Sequence, residues 1–414
     1  MAKPQHRQAN ARYIVDEIRF EGNHRTRAEI LLYEVEFRSG DMIARRNLES
    51  ARQAIMDLGL FKTVVADRHR VGDRNIVTIV VQEKRYWFAL PKLDRSGDGD
   101  ITVGGEIEFH NFTGRNQMLE VVAKRKDLQN ADVKKEESFE VEFDYPRMLG
   151  GPYDLSVDID IETAELDEDR SGVSGQYERD LFGAGIGVAR WLVPRGPSRG
   201  WRHGGSFRWD DFRHEFIGGT PGLFFDASVL TWSGFIEFVD VHDHAFSRSG
   251  RRFGYRLEIA DEDLGSDGGF VRHSLRYRSY WRITRRRHTN FNLQLRAGWA
   301  TDTIFGDPTY SIGGSRTLRG FKREDIEGDA FVLANLEFLT PLFGRYSWRG
   351  VGFVDIGNAY SDLDELSLSA LKVGAGFGLR WKWRSFVKTD LRLDFAHGFD
   401  GGENKVYAST KATF

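Results

Sequence analysis

From residue 86 to the end of the chain, apolar and polar residues alternate in one segment after another. In 371–384, seven apolar residues from Leu371 to Trp383 occupy every second position, and lysine, arginine or glycine fills the positions between them. Segments 155–162, 291–299 and 387–395 repeat the pattern. A period of two is typical of β-strands with one apolar face. The pattern predicts sixteen strands, which begin near residues 86, 101, 116, 138, 152, 173, 200, 228, 252, 269, 289, 329, 348, 370, 386 and 405.

Two architectures contain such strands, a soluble β-sandwich and a transmembrane β-barrel. The predicted strands are roughly 10–15 residues long, near the length of a tilted membrane span and longer than the average strand of globular proteins. Aromatic residues also lie toward the strand ends, where a barrel has its interfacial girdles. These aromatic residues are Trp281, Trp299, Trp348, Tyr360, Trp381 and Trp383. Strand length and aromatic placement favour a sixteen-stranded antiparallel transmembrane barrel over residues 85–414.

The connections between the predicted strands differ in length. Tight turns are predicted at 112–115 and 148–151, and longer outer loops at 127–137, 165–171 and 216–226. The longest connection is 301–328. A loop of that length within a compact domain is usually functional or disordered.

Within loop 301–328, Arg319 precedes two strands that carry acids on their polar faces. In the next strand, 330–340, the polar face includes Glu337, and in 351–357 it includes Asp355. A guanidinium can form two parallel hydrogen bonds with one carboxylate. We therefore expect the loop to fold into the barrel and to be tied there by Arg319. The alternative is that Arg319 is an ordinary solvated loop cation.

Residues 13–84 have a different pattern, which predicts a small α+β domain of order β-α-α-β-β. A strand at 14–20 precedes a helix at 27–34, for which Thr26 is the expected N-cap. A second helix at 45–58 has apolar residues at three- and four-residue spacing and is expected to end at Gly59. Strands at 61–66 and 76–81 follow.

Composition removes several classes of protein. No apolar run approaches the roughly 18 residues of a membrane-spanning helix, although alternating barrel strands escape that criterion. The net charge of −3 argues against a nucleic-acid surface. The absence of cysteine excludes disulfides and thiolate metal sites. Residues 1–12, an N-terminal extension, lack the apolar stretch of a signal peptide, so a signal peptide or a larger N-terminal part is expected to be missing.

Other candidate sites are weak. Asp94–Gly99 begins like a calcium loop, but the twelfth position is Gly105 instead of glutamate. His242 and His244 could bind a metal, yet they fall in a predicted turn where polar residues are expected. No nucleophile, base and acid form a recognisable set. The sequence therefore predicts neither an enzyme nor a cofactor or metal site.

Several motifs together resemble one family. Leu318-Arg319-Gly320-Phe321, the segment 353–357 around Asp355 and the terminal Phe414 are similar to motifs of the BamA/TamA superfamily of outer-membrane assembly and translocation proteins. Residues 13–84 resemble a polypeptide-transport-associated (POTRA) domain. The motifs that carry this second resemblance are Phe20-x-Gly22-Asn23, Gly40, Leu58-Gly59-x-Phe61 and Val80-x-x-Glu83.

The resemblance implies roles for individual residues. Arg319 would pair with Asp355 and also with Glu337, Gly320 would permit a tight backbone path, and Phe321 would pack against the barrel wall. It also implies a bacterial outer-membrane location, with the POTRA-like domain in the periplasm. The expected partners are outer-membrane lipids, client polypeptides (unfolded barrel or secreted proteins), and periplasmic or lipoprotein accessories.

The barrel must close between its first and last strands, where we expect a lateral seam marked by Pro91 and Phe414. Proline cannot donate a hydrogen bond to a neighbouring strand, which would weaken the seam, although Pro91 could equally end the strand. The predicted function is insertion of outer-membrane proteins or translocation of polypeptides through strand pairing at this seam. The alternatives are an anchor or export module for a missing N-terminal passenger domain, and a passive pore. The chain has one POTRA-like domain, whereas assembly and translocation proteins of the superfamily usually have several.

Overall fold

The computed structural model describes residues 12–95, 101–127, 133–170, 173–222, 224–283, 287–301, 309–387 and 390–409. An N-terminal domain is followed by one large antiparallel sheet. No helix in these ranges is long and apolar enough to cross a membrane.

The N-terminal domain packs two helices against a three-stranded sheet. Its elements are β1 (Tyr13–Ile14), β2 (Glu17–Glu21), α1 (Ala28–Glu34), β3 (Met42–Ile43), α2 (Arg45–Asp57), β4 (Phe61–Val71) and β5 (Arg74–Glu83). The sheet has the order β2-β5-β4, with β2 parallel and β4 antiparallel to β5. Leu31, Ile55 and Ile79 are fully buried between the helices and this sheet. The strand predicted at 14–20 is divided, since Ile14 belongs to β1 and β2 begins at Glu17, and the short strand β3, which was not predicted, pairs with β1.

The expected N-cap of α1 is wrong. The helix begins at Ala28, and Arg27 occupies the cap position without a side-chain hydrogen bond. Thr26 instead donates its hydroxyl to Glu83 Oε1 at 2.7 Å, and its backbone N–H reaches the same oxygen at 2.8 Å. The Glu83 carboxylate thus binds the Thr26 hydroxyl that was expected to cap the helix. Because Glu83 is distant in sequence, the local sequence around the helix does not reveal this contact.

Sixteen strands form the large sheet, as the alternation predicts. They are β6 (Trp87–Arg95), β7 (Ile101–His110), β8 (Met118–Asp127), β9 (Val133–Tyr145), β10 (Tyr153–Arg170), β11 (Val173–Trp191), β12 (Gly200–Gly219), β13 (Ala227–His244), β14 (Ser247–Ala260), β15 (Phe270–Arg282), β16 (Asn290–Ala300), β19 (Ala330–Leu342), β20 (Arg345–Tyr360), β21 (Lys372–Lys382), β22 (Asp390–Gly398) and β23 (Asn404–Ser409). Each strand pairs antiparallel with the next one along the sheet. Between β16 and β19 the chain leaves the sheet and forms a small hairpin of β17 (Tyr310–Ile312) and β18 (Ile326–Gly328).

Side chains alternate between two environments along these strands. In β20, Val354 is 38% exposed, whereas its neighbours Phe353 and Asp355 are buried. In many strands, every second residue is apolar and exposed on the outside of the barrel, and the residues between them include charged side chains that face the interior. This is the arrangement of a transmembrane barrel. The sheet curls until β23 lies beside β6.

All three predicted outer loops are shorter than expected, and in the loop predicted at 216–226 residues 216–219 belong to β12. Within 165–171, residues 165–170 continue the ladder of β10 with β11, and Leu166 packs there against Tyr177. Within 127–137, residues 133–137 belong to β9, where Glu136 pairs with Lys126 of β8. Contacts between side chains on neighbouring strands can stabilise strand pairing beyond the segment with alternating apolar residues. The strands are therefore longer than that alternation predicts.

The seam lies between β6 and β23. Within the described residues, no hydrogen-bonded ladder joins these two strands, which are the ends of the sheet. Pro91 lies inside β6, opposite Gly105 of β7, and the strand continues to Arg95. The reading in which Pro91 ends the strand is therefore wrong. Phe414 lies outside the described residues.

The N-terminal domain contacts several turns at one end of the barrel. Arg27 N–H donates to Gly114 O at 2.9 Å, and Arg384 donates to Lys62 O at 2.7 Å. Asp57 accepts hydrogen bonds from the backbone N–H of Asp243 and from the His242 ring, both at 2.8 Å.

Two further contacts complete this docking. The linker residue Arg85 forms an isolated parallel β-bridge with Phe386 of the β21–β22 connection. The next residue of that connection, Val387, is buried in the core of the N-terminal domain. On α1, Glu34 accepts hydrogen bonds from Ser198 N–H at 2.9 Å and Ser198 Oγ at 2.8 Å. The domain is thus attached at separate points around the barrel rim.

Glu34 makes this docking sensitive to pH. Burial raises the pKa of its carboxyl from 4.5 to about 7. The Ser198 hydrogen bonds and the nearby Arg147 lower that pKa, and Asp57 raises it. Between about pH 4.5 and 7 the docked state therefore holds a proton that the free carboxyl has released. Docking is strongest below pH 4.5, where the carboxyl is protonated in both states, and it weakens as the pH rises through about 7.

We expect docking of the N-terminal domain to weaken as the pH rises from 4.5 through about 7. The chain has no cysteine, so spin labels at two introduced cysteines, one on α2 and one at residue 246 between β13 and β14, can report the distance. Glu34→Gln should reduce the pH dependence to the part that comes from His242, whose pKa is raised by its hydrogen bond with Asp57 across the same contact. Glu49→Gln, at an exposed position of α2 that pairs with Arg52 of the same helix, should retain all of it. The same pH dependence in Glu34→Gln and in the unsubstituted protein would contradict this assignment.

Candidate functional site

The loop between β17 and β18 is compact and enters the barrel interior. Thr317 Oγ1 accepts a hydrogen bond from Gly313 N–H at 2.8 Å and donates one to Gly313 O at 2.6 Å, which closes a tight turn. Leu318 and Phe321 are buried against Leu333 of the barrel wall. Loop and wall therefore share one apolar cluster.

Arg319, at the tip of this loop, is fully buried. Its Nε and Nη2 donate to the two carboxylate oxygens of Asp355 at 2.6 and 2.7 Å. Its Nη1 donates to Glu337 at 2.9 Å and to Asp394 at 3.1 Å. The Arg319 backbone N–H also donates to Asp355, at 3.2 Å. One loop residue thus binds carboxylates from three strands, β19, β20 and β22.

Two further arginines complete the charge balance. Arg380 of β21 donates to Glu337 at 3.0 Å and also pairs with Asp394. Arg392 of β22 donates to Asp394 at 2.5 Å and to Ser315 O of the loop at 2.8 Å. Three guanidinium groups (Arg319, Arg380 and Arg392) therefore face three carboxylates (Glu337, Asp355 and Asp394). A buried ion cluster is tolerated only when its charges are matched and hydrogen-bonded in this way.

Neutral groups fix the orientation of the pair. The Phe353 ring lies 3.5 Å from the Arg319 guanidinium carbon, close enough for a cation–π contact. Asn335 Nδ2 donates to Asp355 Oδ1 at 2.8 Å and to Thr317 O at 2.7 Å. The Asp355 carboxylate is thereby held in the plane in which Arg319 can bind both oxygens.

Glycines let the loop backbone approach the wall. Gly320 has a φ of +93°, and a Cβ there would lie 2.3 Å from the backbone nitrogen of Gly398. A Cβ at Gly374 of β21 would lie 1.9 Å from Arg319 O. Tyr407 of β23 receives a hydrogen bond from Gly320 N–H at 3.1 Å and donates to Phe321 O at 3.3 Å. The loop therefore also contacts the last strand.

The structure brings Arg319, Gly320, Phe321, Glu337 and Asp355 together, and their functional role stays a prediction. The site also contains six residues that were not predicted from the sequence, Asn335, Phe353, Arg380, Arg392, Asp394 and Tyr407. The available signal was parity, because Arg380 and Asp394 lie on the polar faces of their strands. The alternation of residues along a strand shows which side of the wall a residue faces. It does not show the register, which decides which residues of two neighbouring strands lie side by side.

The two histidines considered as metal ligands and a group of three glutamates pair with neighbouring side chains. His242 contacts Asp57, and His244 Nε2 lies 2.8 Å from Ser249 Oγ. The carboxylates of Glu106, Glu108 and Glu120 lie close enough together to hold a metal ion. Lys92, however, pairs with Glu106 at 2.7 Å, and His110 with Glu108 at 2.6 Å. Most of the calcium-like segment 94–99 lies outside the described residues.

Comparisons with known proteins agree with this architecture. The sequence model of the Omp85 superfamily domain matches residues 111–407, and that of the surface antigen variable number repeat, a POTRA model, matches residues 13–84. A comparison with curated protein sequences found no match.

Three solved structures share the fold. CdiB from Escherichia coli has a TM-score of 0.69 at 16% identity, over 95% of this chain and 75% of its own. CdiB from Acinetobacter baumannii has a TM-score of 0.67 at 15% identity, over 95% and 73%. BamA from Haemophilus ducreyi, in a form lacking POTRA domains 1–3, has a TM-score of 0.55 at 17% identity, over 96% and 84%.

We expect Arg319→Ala to lower the free energy of unfolding of the barrel by about 3–5 kcal/mol, because it leaves three buried carboxylates with only two guanidinium groups. Heat-modifiable gel migration measures the temperature at which the folded band is lost. Arg323→Ala is the matched control, since Arg323 is in the same loop but is exposed and pairs with the neighbouring Glu324. An unfolding temperature of Arg319→Ala equal to that of Arg323→Ala would contradict the assignment.

We also expect Gly320→Ala to displace the loop, because its Cβ would collide with the backbone at Gly398. Trypsin should then cleave the loop at Arg316, Lys322 and Arg323 much faster than in the unsubstituted protein. Gly344→Ala provides the control, since Gly344 also has a positive φ, +65°, but has open space around it. Cleavage of the loop no faster in Gly320→Ala than in Gly344→Ala would show that the close approach of Gly320 to Gly398 does not determine the loop position.

Proposed function

The chain belongs to the Omp85 superfamily, and from that membership we propose that it inserts or translocates polypeptides at the bacterial outer membrane by pairing a client strand with the open edge of β6. The observation that carries the proposal is the seam, where no ladder joins β6 to β23 within the described residues. An unpaired strand edge presents backbone N–H and C=O groups that can add another strand. In lipid these groups must find partners, so the edge is a strong site for strand addition.

The ion cluster supports opening at this seam and not elsewhere. Arg319 joins β19, β20 and β22 through its three carboxylates, and Tyr407 connects the loop to β23. The wall from β19 to β23 is thus held from inside as one unit. Separation of β6 from β23 breaks none of these contacts, and so the seam is the boundary at which the barrel opens most easily.

The N-terminal domain supplies a route for clients. Its docking places it at the barrel end where β6 begins. Its strand β4 is at an edge of the three-stranded sheet and exposes Val65 and Val71. We place this end in the periplasm, so that a client strand can add to the β4 edge before it reaches β6.

This function requires binding and conformational change but no chemical step. The proposed partners are outer-membrane lipids, client polypeptides and periplasmic or lipoprotein accessories. The apolar outer faces of the strands suit the lipid contact.

A photoreactive amino acid at position 89 tests the proposal in cells, since Ala89 is exposed on β6. We expect it to crosslink newly made outer-membrane or secreted polypeptides, which mass spectrometry can identify. The matched control is position 186, because Ile186 is exposed on β11 in another part of the wall. Absence of polypeptide adducts at position 89, or equal adducts at both positions, would rule out strand pairing at β6.

A further inference from the structure

A groove of about 700 Å³ lies where the first residues of β6 meet the N-terminal domain. Its described walls are largely aromatic, and the aromatic residues are Tyr86, Trp87, Phe88, Trp383 and Phe386. Trp87 and Trp383 are 57% and 46% exposed, and together with the neighbouring rings they form a continuous aromatic surface in the groove. Open aromatic surface of this kind marks a site that another molecule covers.

A row of stacked rings leads to the groove from the outside of the barrel. The ring centroids of Trp348 and Trp381 are 5.4 Å apart, and those of Trp381 and Trp383 are 5.7 Å apart. Trp383 then meets Phe386 at 4.9 Å. Trp348 has the same parity along β20 as the exposed Val354, so the row begins on the lipid-facing surface. Tryptophan is favoured at the boundary between acyl chains and head groups.

Cations lie at the other side of the same groove. Arg25 and Arg85 both line it, and the Arg85 guanidinium carbon lies 5.5 Å from the Phe386 ring centroid. Within the described part of the chain, neither guanidinium forms an ion pair or donates a hydrogen bond. Glu83, the acid in the groove, accepts hydrogen bonds from Thr26 N–H and Oγ1 at 2.8 and 2.7 Å. The Arg25 backbone N–H also donates to both Glu83 carboxylate oxygens, at 3.2 Å. The groove is lined by three cationic residues, Arg25, Lys84 and Arg85, and by this one acid, so its net positive charge favours an anion.

We propose that this groove binds an anionic phospholipid from the leaflet nearer the N-terminal domain. The phosphodiester binds between Arg25 and Arg85, and an acyl chain lies against Trp383 and Phe386. Guanidinium groups bind phosphate oxygens through paired, charge-assisted hydrogen bonds. A lipid is favoured over a peptide because the apolar part of the groove continues the lipid-facing row of tryptophans, and because anionic head groups attract cations at the membrane surface.

The position of the lipid has a structural consequence. Trp87, Ala89 and Leu90, which line the groove, belong to the strand whose outer edge forms the seam. A lipid in the groove therefore covers the beginning of that edge. A polypeptide strand that pairs along the whole of β6 must displace it.

Native mass spectrometry of the purified full-length chain in detergent tests the site. Phosphatidylglycerol and phosphatidylethanolamine with the same acyl chains serve as probes. We expect tighter binding of phosphatidylglycerol, and we expect the double variant Arg25→Ala/Arg85→Ala to weaken it about tenfold or more. The control Arg45→Ala/Arg46→Ala removes the same charge from exposed positions at the start of α2 and should have no effect.

A second pair of variants tests the acyl-chain contact. Trp383→Ala should weaken the binding of both lipids, whereas Trp232→Ala, at a similarly exposed ring on β13, should leave both unchanged. Heat-modifiable migration verifies that each variant is folded. Equal phosphatidylglycerol affinity of the two double-arginine variants would overturn the proposal. Binding of an extended peptide through Arg25 and Arg85, without a preference between the two lipids, would overturn it as well and would assign the groove to a polypeptide.

Discussion

The buried pairing of Arg319 with Asp355 is the interaction on which the interior of this barrel depends. A barrel wall exposes one parity of each strand to its interior, and loop 309–328 partly fills that space. Burial of an arginine and three carboxylates is costly unless every charge is matched. The matching comes from Arg380 and Arg392, and the close approach of the loop requires glycine at positions 320 and 374. The loop is thus held by electrostatics and by backbone space together.

This arrangement divides the barrel into parts of different strength. Around the loop, four strands share contacts with one short segment, whereas β6 and β23 meet without a ladder in the described residues. The N-terminal domain is attached to the barrel rim by hydrogen bonds with several turns, and Val387 of the barrel is buried in the core of that domain. The aromatic groove lies where the seam meets this domain. The proposed sites for a client strand and for a lipid thus lie next to each other on β6, one of the two strands at the seam.

Much of the architecture could be predicted, because a period of two is visible in a single sequence. Alternation gave the strands and the polar faces on which Asp355 and Glu337 lie, and the loop motif gave Arg319. The rest depends on register, which sequence parity does not contain. Asp394 reaches Arg319 only because β22 meets β21 at a particular height. The ladder at 165–170 and the contact of Thr26 with Glu83 likewise depend on partners far along the chain.

A double-mutant cycle on Arg319 and Asp355 tests the central claim most directly. The free energy of unfolding in lipid vesicles would be measured for the unsubstituted chain, for each single alanine variant and for the double variant. If the two groups form one buried unit, each single variant leaves an uncompensated charge, and the double variant is destabilised by at least about 2 kcal/mol less than the sum of the two. Additive losses would show that Arg319 and Asp355 act independently and that the loop is held by other contacts.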